Sequence, residues 1–172
     1  MNVEDIRAYC LSLPLTTEDF PFDEDCLAFR VQGKIFAMIN LENTKWFVLK
    51  CNPDYAVELR ERHREIEGAW HMNKRYWNQL DIYGELSDEL IKALIRHSYA
   101  EVVSKFSGKM KRENPVLLTV RSAFGRFLRR HLPVYWSGKA GRLKRNGGCL
   151  EAQKTVVSDT REIALRRQKM VS

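Results

Sequence analysis

The spacing of apolar positions changes period several times along the chain, and each change marks an element. Val3, Ile6, Cys10 and Leu13 recur at helical intervals behind Glu4 and Asp5, acids that suit the positive end of a helix, and Pro14 stops the run. Residues 15–25 lose this periodicity and read as a loop. Its carboxylates Glu18, Asp19, Asp23, Glu24 and Asp25 surround Phe20-Pro21-Phe22, whose rings are expected to pin it. Strand-like runs follow over 26–31, 34–40 and 45–50, with Leu27, Phe29 and Val31 sharing one face of the first. Gln32-Gly33 supplies a two-residue hairpin turn and Glu42-Asn43-Thr44 a second turn, so the three runs form an antiparallel meander.

Asn52-Pro53-Asp54 opens a helix as cap, first residue and dipole partner, and the pattern carries it to about residue 65, with Ala56, Leu59, His63 and Ile66 inward. A short strand is expected over 78–83, broken by Gly84. Ser87 then caps a helix whose stripe runs through Leu90, Ile91, Leu94, Ile95, Val102, Val103 and Phe106. His97-Ser98-Tyr99 lies within it. His97 and Ser98 are adjacent and project differently, so they imply no catalytic pair, and Tyr99 is expected to pack. Residues 107–112 read as a basic linker, 115–132 as an amphipathic helix, and the remainder as flexible sequence.

Charge sharpens that division. The 172 residues carry a net charge of +7. Residues 1–106 hold 13 Lys/Arg against 18 Asp/Glu, a net −5, whereas residues 107–172 hold 16 against 4, a net +12. The shift places a folded domain over 1–106 and a basic extension over 107–172. No apolar run approaches the ~20 residues that cross a membrane. The acidic start lacks the basic region of a secretory leader, and Cys10, Cys26, Cys51 and Cys149 are too widely spaced for C-x-x-C chemistry. These features lead us to expect reduced thiols and a cytoplasmic location.

Catalytic and metal-binding patterns are lacking. His63 and Glu67 are four apart, as helix-borne ligands would be, but two ligands are not a site; the acidic loop lacks the spacing and central Gly of a calcium loop. There is no nucleophile–base–orienter set, phosphate loop or zinc spacing, so we expect a non-enzymatic protein without cofactor or metal.

The densest chemistry lies at 68–78, where Trp70, His71, Asn73, Lys74, Arg75, Tyr76, Trp77 and Asn78 combine aromatic surface, positive charge and amide groups. Such a surface suits stacking on flat groups and holding anions, as nucleic acid offers. The alternative is that Trp70, Tyr76 and Trp77 anchor the loop while Lys74 and Arg75 are solvated; Trp70 and Trp77 lean towards packing.

The order of elements resembles the MmcQ/YjbR family. The resemblance is carried by Phe20-Pro21-Phe22-Asp23 with Phe29-Arg30-Val31, then Gly33-Lys34-Ile35-Phe36-Ala37 and Leu49-Lys50-Cys51-Asn52-Pro53. It continues through His71-Met72-Asn73-Lys74-Arg75-Tyr76-Trp77-Asn78 and His97-Ser98-Tyr99 with Val102-Val103. It spans roughly residues 1–106. It implies an α+β fold of the CyaY (frataxin-like) type, an antiparallel sheet with helices packed on one face, and a DNA-binding role. On that reading Lys34, Lys50, Lys74 and Arg75 contact phosphates, Asn73, Tyr76 and Trp77 pack against sugars or bases, and His71 completes the site. The alternative is a protein-interaction or regulatory module without intrinsic nucleic-acid binding, using an exposed Trp46 or Trp77 against a protein partner. The resemblance explains nothing beyond residue 106.

Overall fold

In the computed structural model, which describes residues 1–119, a six-stranded antiparallel sheet carries helices on one face. The chain order is α1 (Val3–Leu11), β1 (Thr16–Asp19), β2 (Cys26–Val31), β3 (Lys34–Asn40), β4 (Trp46–Lys50) and α2 (Pro53–Arg62). β5 (Ile66–Gly68), β6 (Trp77–Asp81), α3 (Asp88–Ser104), α4 (Gly108–Glu113) and a 3-10 turn (Pro115–Leu118) follow. Strands lie in the order β1-β2-β3-β4-β6-β5, every neighbouring pair antiparallel.

Local chemistry fixes the boundaries. Asn2 caps α1 through a reciprocal capping box with Asp5, and Asn52 and Ser87 cap α2 and α3 by accepting the N–H of Asp54 and Leu90. Gln32 and Gly33 both take positive φ, 48° and 74°, the turn that matches strand twist in a two-residue hairpin. The expected meander is therefore present. Two elements depart from expectation at the sheet edges. The acidic loop contains β1, which pairs with β2, and α2 ends at Arg62, so that Ile66–Gly68 forms β5 instead of a last helical turn. His63 caps the helix and Glu67 lies on a strand, so the two do not share a helix face. Regular structure also continues past residue 106. Ser107 caps α4 where a linker was expected, Pro115–Leu118 is a 3-10 turn and not the start of an α-helix, and Leu117 is fully buried in the core. The rest of the expected 115–132 helix and the basic extension lie outside the described residues, as does Cys149.

The main core joins Leu27, Phe29, Val31, Ile39, Phe47, Leu49 and Leu80 of the sheet to Ile6 and Cys10 of α1, Tyr55 and Leu59 of α2, and Ile91, Leu94 and Ile95 of α3. A β-bulge at Phe36 lets both Phe36 and Ala37 face the helices and turns Ile35 to the other face, where Ala28, Met38, Ala69 and Trp77 form a smaller cluster. Burial pushes the thiols of Cys10 and Cys51 far above the ordinary range, which makes them inert packing groups.

Three adjacent residues of α3 tie the fold together. The bulge ends the β3–β4 ladder at Ala37–Leu49, and there the buried Ser98 hydroxyl accepts the N–H of Lys50 at 2.8 Å and donates to the carbonyl of Phe36. His97 Nε2 accepts the N–H of Asn52 at 3.1 Å, and Tyr99 Oη donates to the carbonyl of Pro14 at 2.7 Å. One helical turn thus fixes β3, β4, the start of α2 and the exit of α1. Replacing Ser98 with Ala strands a buried donor and acceptor, at a cost of about 1–3 kcal/mol. Urea denaturation of Ser98→Ala is expected to show that loss at unchanged m-value. A loss below about 0.5 kcal/mol, the level of a neutral surface change, would contradict this role.

Candidate functional site

The pleat of β4 and β6 determines what the helix-free face presents. Along β4, Trp46, Val48 and Lys50 point to that face, opposite Asp81, Gln79 and Trp77 of β6. The segment between β5 and β6 folds back over it. Ala69 N–H donates to the carbonyl of Trp77 at 3.2 Å, and Cys51 N–H to that of Tyr76 at 2.7 Å. Gln79 holds the other side of the loop. Its Oε1 accepts the N–H of Trp70 at 3.1 Å, and its Nε2 donates to Glu67 at 2.6 Å. From α2, Arg60 Nε donates to Asn78 at 2.8 Å and its guanidinium also reaches the carbonyl of Lys74.

This arrangement divides the expected site residues among three places. The first is a cationic corner. Trp77, 8% exposed, lies beneath the ammonium of Lys50, whose Nζ is 5.2 Å from the ring centroid. Beside it, the half-buried Tyr76 is approached by Arg75, with Cζ at 5.6 Å, and by Lys105, with Nζ at 5.5 Å. Burial pushes the Lys50 ammonium below the ordinary lysine range; the charge of Lys105 acts the same way, Glu101 opposes it, and Lys34 adds to the depression. Lys50, Arg75 and Tyr76 therefore converge, joined by Lys105, which sequence reasoning did not single out, while Lys34 is linked to them through its charge on Lys50. Lysine at a helix C-terminus is ordinary dipole chemistry, so its sequence position carried no functional signal.

The second place is the loop itself. Asn73 is spent on its geometry, with Oδ1 accepting the N–H of Arg75 at 3.0 Å and the carbonyl accepting that of Tyr76 at 2.9 Å. The stem of Lys74 lies across Gly68, where an added Cβ would sit 3.1 Å from the Lys74 side chain. Lys74 is exposed but is not among the cations gathered at Tyr76.

The third place is a cleft of about 760 Å³ at the opposite end of the β4–β6 pair, with Met38 and Val48 on its floor. Phe22, Trp46, Trp70 and Met72 are among its apolar walls, and Asp23, Glu42, Glu67 and His71 also line it. His71 thus belongs to the cleft, its ring 6.4 Å from that of Trp70. The expected packing roles of Trp70 and Phe22 are not found: they are 73% and 66% exposed, and Phe20 is exposed too. Hydrogen bonding of the Trp70 backbone to Gln79 leaves its ring outside the core, a placement that apolar patterning alone does not reveal.

No group of three or more potential metal ligands occurs among the described residues, and no helix among them is long and apolar enough to cross a membrane.

An α+β module with helices on one face of an antiparallel sheet and a folded-back aromatic loop on the other is therefore the class defined by the fold. Residues 11–101 match the family described as YjbR, and the chain belongs to that family. The Escherichia coli K12 protein YjbR, itself described as uncharacterized, is 29% identical over 105 residues, covering 60% of this chain and 89% of that protein. YbdF of E. coli O157:H7, also described as uncharacterized, is 28% identical over 114 residues, covering 65% of this chain and 93% of its own. The crystal structure of Deinococcus radiodurans DR2400, with domain DUF419, is similar with a TM-score of 0.62 at 32% identity, covering 65% of this chain and 86% of that one.

Arg60 is the clamp that holds the loop down. A hydrogen bond to a charged group is worth about 1.5–3 kcal/mol, so Arg60→Met is expected to free residues 73–76 and speed tryptic cleavage after Lys74 or Arg75 about tenfold. An unchanged cleavage rate would show that the backbone bonds alone hold the loop.

Proposed function

We propose that this protein is a non-enzymatic nucleic-acid-binding module that contacts the phosphate backbone of DNA through the corner formed by Lys50, Arg75, Lys105 and Lys34. One observation carries this reading: cations crowd around Tyr76 and Trp77, where burial first, then the charge of Lys105 and that of Lys34, depress Lys50 against the opposing charge of Glu101. Among the described residues none of Lys34, Lys50, Arg75 and Lys105 makes an ion pair. Like charges held together are relieved by an anion, and phosphate is the anion that a repeating polymer presents at close spacing. Tyr76, half-buried beside two cations, offers a ring edge or face to a sugar or base, whereas Trp77 serves beneath Lys50 as a platform. The net −5 of residues 1–106 makes the corner a local feature of an otherwise acidic module.

Each phosphate neutralised contributes about −0.9 to the log–log salt slope. The full chain carrying Lys50→Gln, Arg75→Gln and Lys105→Gln together is expected to bind duplex DNA with a slope shallower by about 2–3 than the parent. The basic extension is the same in both proteins, so an unchanged slope would remove the corner from the interface.

Stability and binding should move in opposite directions at Lys50. Its folded-state pKa is depressed, so its positive charge opposes folding below that value, and the penalty disappears as pH rises past the ordinary lysine value of ~10.4. Lys50→Met is accordingly expected to raise the midpoint of urea unfolding at neutral pH, with a smaller gain above pH ~10, while weakening DNA binding. Loss of stability at neutral pH would contradict the assignment of Lys50 as a crowded cation.

A further inference from the structure

The cleft at the other end of the β4–β6 pair has chemistry opposite to that of the corner, and this inference does not depend on the nucleic-acid reading. Its volume of about 760 Å³ falls within the range of ligand sites and exceeds the volume of a single side chain. Exposed Trp70 and Phe22 stand at its edge with Trp46 and Met72. Soluble proteins seldom leave large aromatic rings gathered on one patch without a partner. Its charged lining is of one sign: Asp23, Glu42 and Glu67, with no lysine or arginine among the described lining residues.

The carboxylates are partly used within the chain. Asp23 Oδ1 accepts the N–H of Cys26 at 2.6 Å and of Asp25 at 3.1 Å, and Glu67 Oε1 accepts from Gln79 at 2.6 Å. Each therefore has a second oxygen that these bonds do not occupy. The ring of Trp46 already shows the matching interaction: Lys45 Nζ, which pairs with Asp81 at 3.3 Å, stands 4.8 Å from its centroid. Aromatic faces and carboxylates recognise the same kind of group, a cation carried on an apolar stem.

We propose that this cleft docks a short basic peptide segment of a partner protein, one in which Lys or Arg alternates with apolar side chains. The cationic heads meet Glu67, Glu42 and Asp23, and the apolar side chains pack on Trp70, Phe22 and Met72. Gln79 is the positioning residue, because its two hydrogen bonds set Trp70 and Glu67 at the cleft together.

The test is calorimetric titration of the full chain at low salt with a capped hexapeptide alternating Leu and Arg, and with its counterpart in which Gln replaces Arg. The Arg peptide should bind at least about tenfold more tightly than the Gln peptide. Trp70→Ala and Glu67→Gln should each weaken the Arg peptide about fivefold or more. Trp70 is exposed and Glu67→Gln keeps shape, so unfolding midpoints close to the parent's will show that both variants remain folded. Arg- and Gln-peptide affinities within about twofold, or an affinity indifferent to Trp70→Ala, would overturn the proposal. Arginine amide binding as tightly as the hexapeptide would also overturn it, since the cleft would then recognise a free cation.

Discussion

The hydroxyl of Ser98 bridges the point where the β3–β4 ladder ends at Ala37–Leu49. The bulge at Phe36 removes that carbonyl from β4, and a buried, unpaired Lys50 N–H would cost as much as several surface contacts supply. By bridging the gap from α3, Ser98 fixes the backbone of Lys50, and His97 fixes the start of α2 two residues later. The end of β4 then holds Tyr76 through the Cys51 N–H, and α2 presents Arg60 to the carbonyl of Lys74. The geometry of the cationic corner is therefore set on the opposite side of the sheet, in the core.

The two faces of the sheet have separate tasks. The helix face holds the continuous core and takes its stability from apolar burial. The other face keeps only a small cluster around Trp77, Met38, Ala28 and Ala69, with a corner of positive charge at one end and an aromatic cleft with carboxylates at the other. The loop between β5 and β6 supplies residues to both, which accounts for the density of chemistry at 68–78.

Much of this architecture was legible in the sequence because the main elements are long enough to show a period. The meander, the capped helices and the α3 stripe rest on Leu, Ile, Phe and Val at regular spacing and on Asn52 and Ser87 at helix starts. β1 was missed because an edge strand reading Thr-Thr-Glu-Asp has no buried stripe, and β5 because three residues cannot display a period. The short basic α4 looked like a linker for the same reason. Composition found the aromatic-basic loop but could not divide it. Whether a residue points to the corner or the cleft depends on strand register, and one residue of slip reverses every side chain. Lys50 and Trp77 meet only because β4 and β6 pair in that register, and Lys105 arrives from a helix end some thirty residues away in sequence.

The cationic corner is tested most directly by amide and lysine-ammonium NMR of the full chain titrated with a short DNA duplex. The largest early shifts are expected on Lys50, Arg75, Tyr76 and Lys105, with the Lys50 ammonium moving towards a higher pKa as phosphate adds to the counter-charge of Glu101. Shifts confined to residues beyond 119, with those four unmoved at saturation, would contradict it.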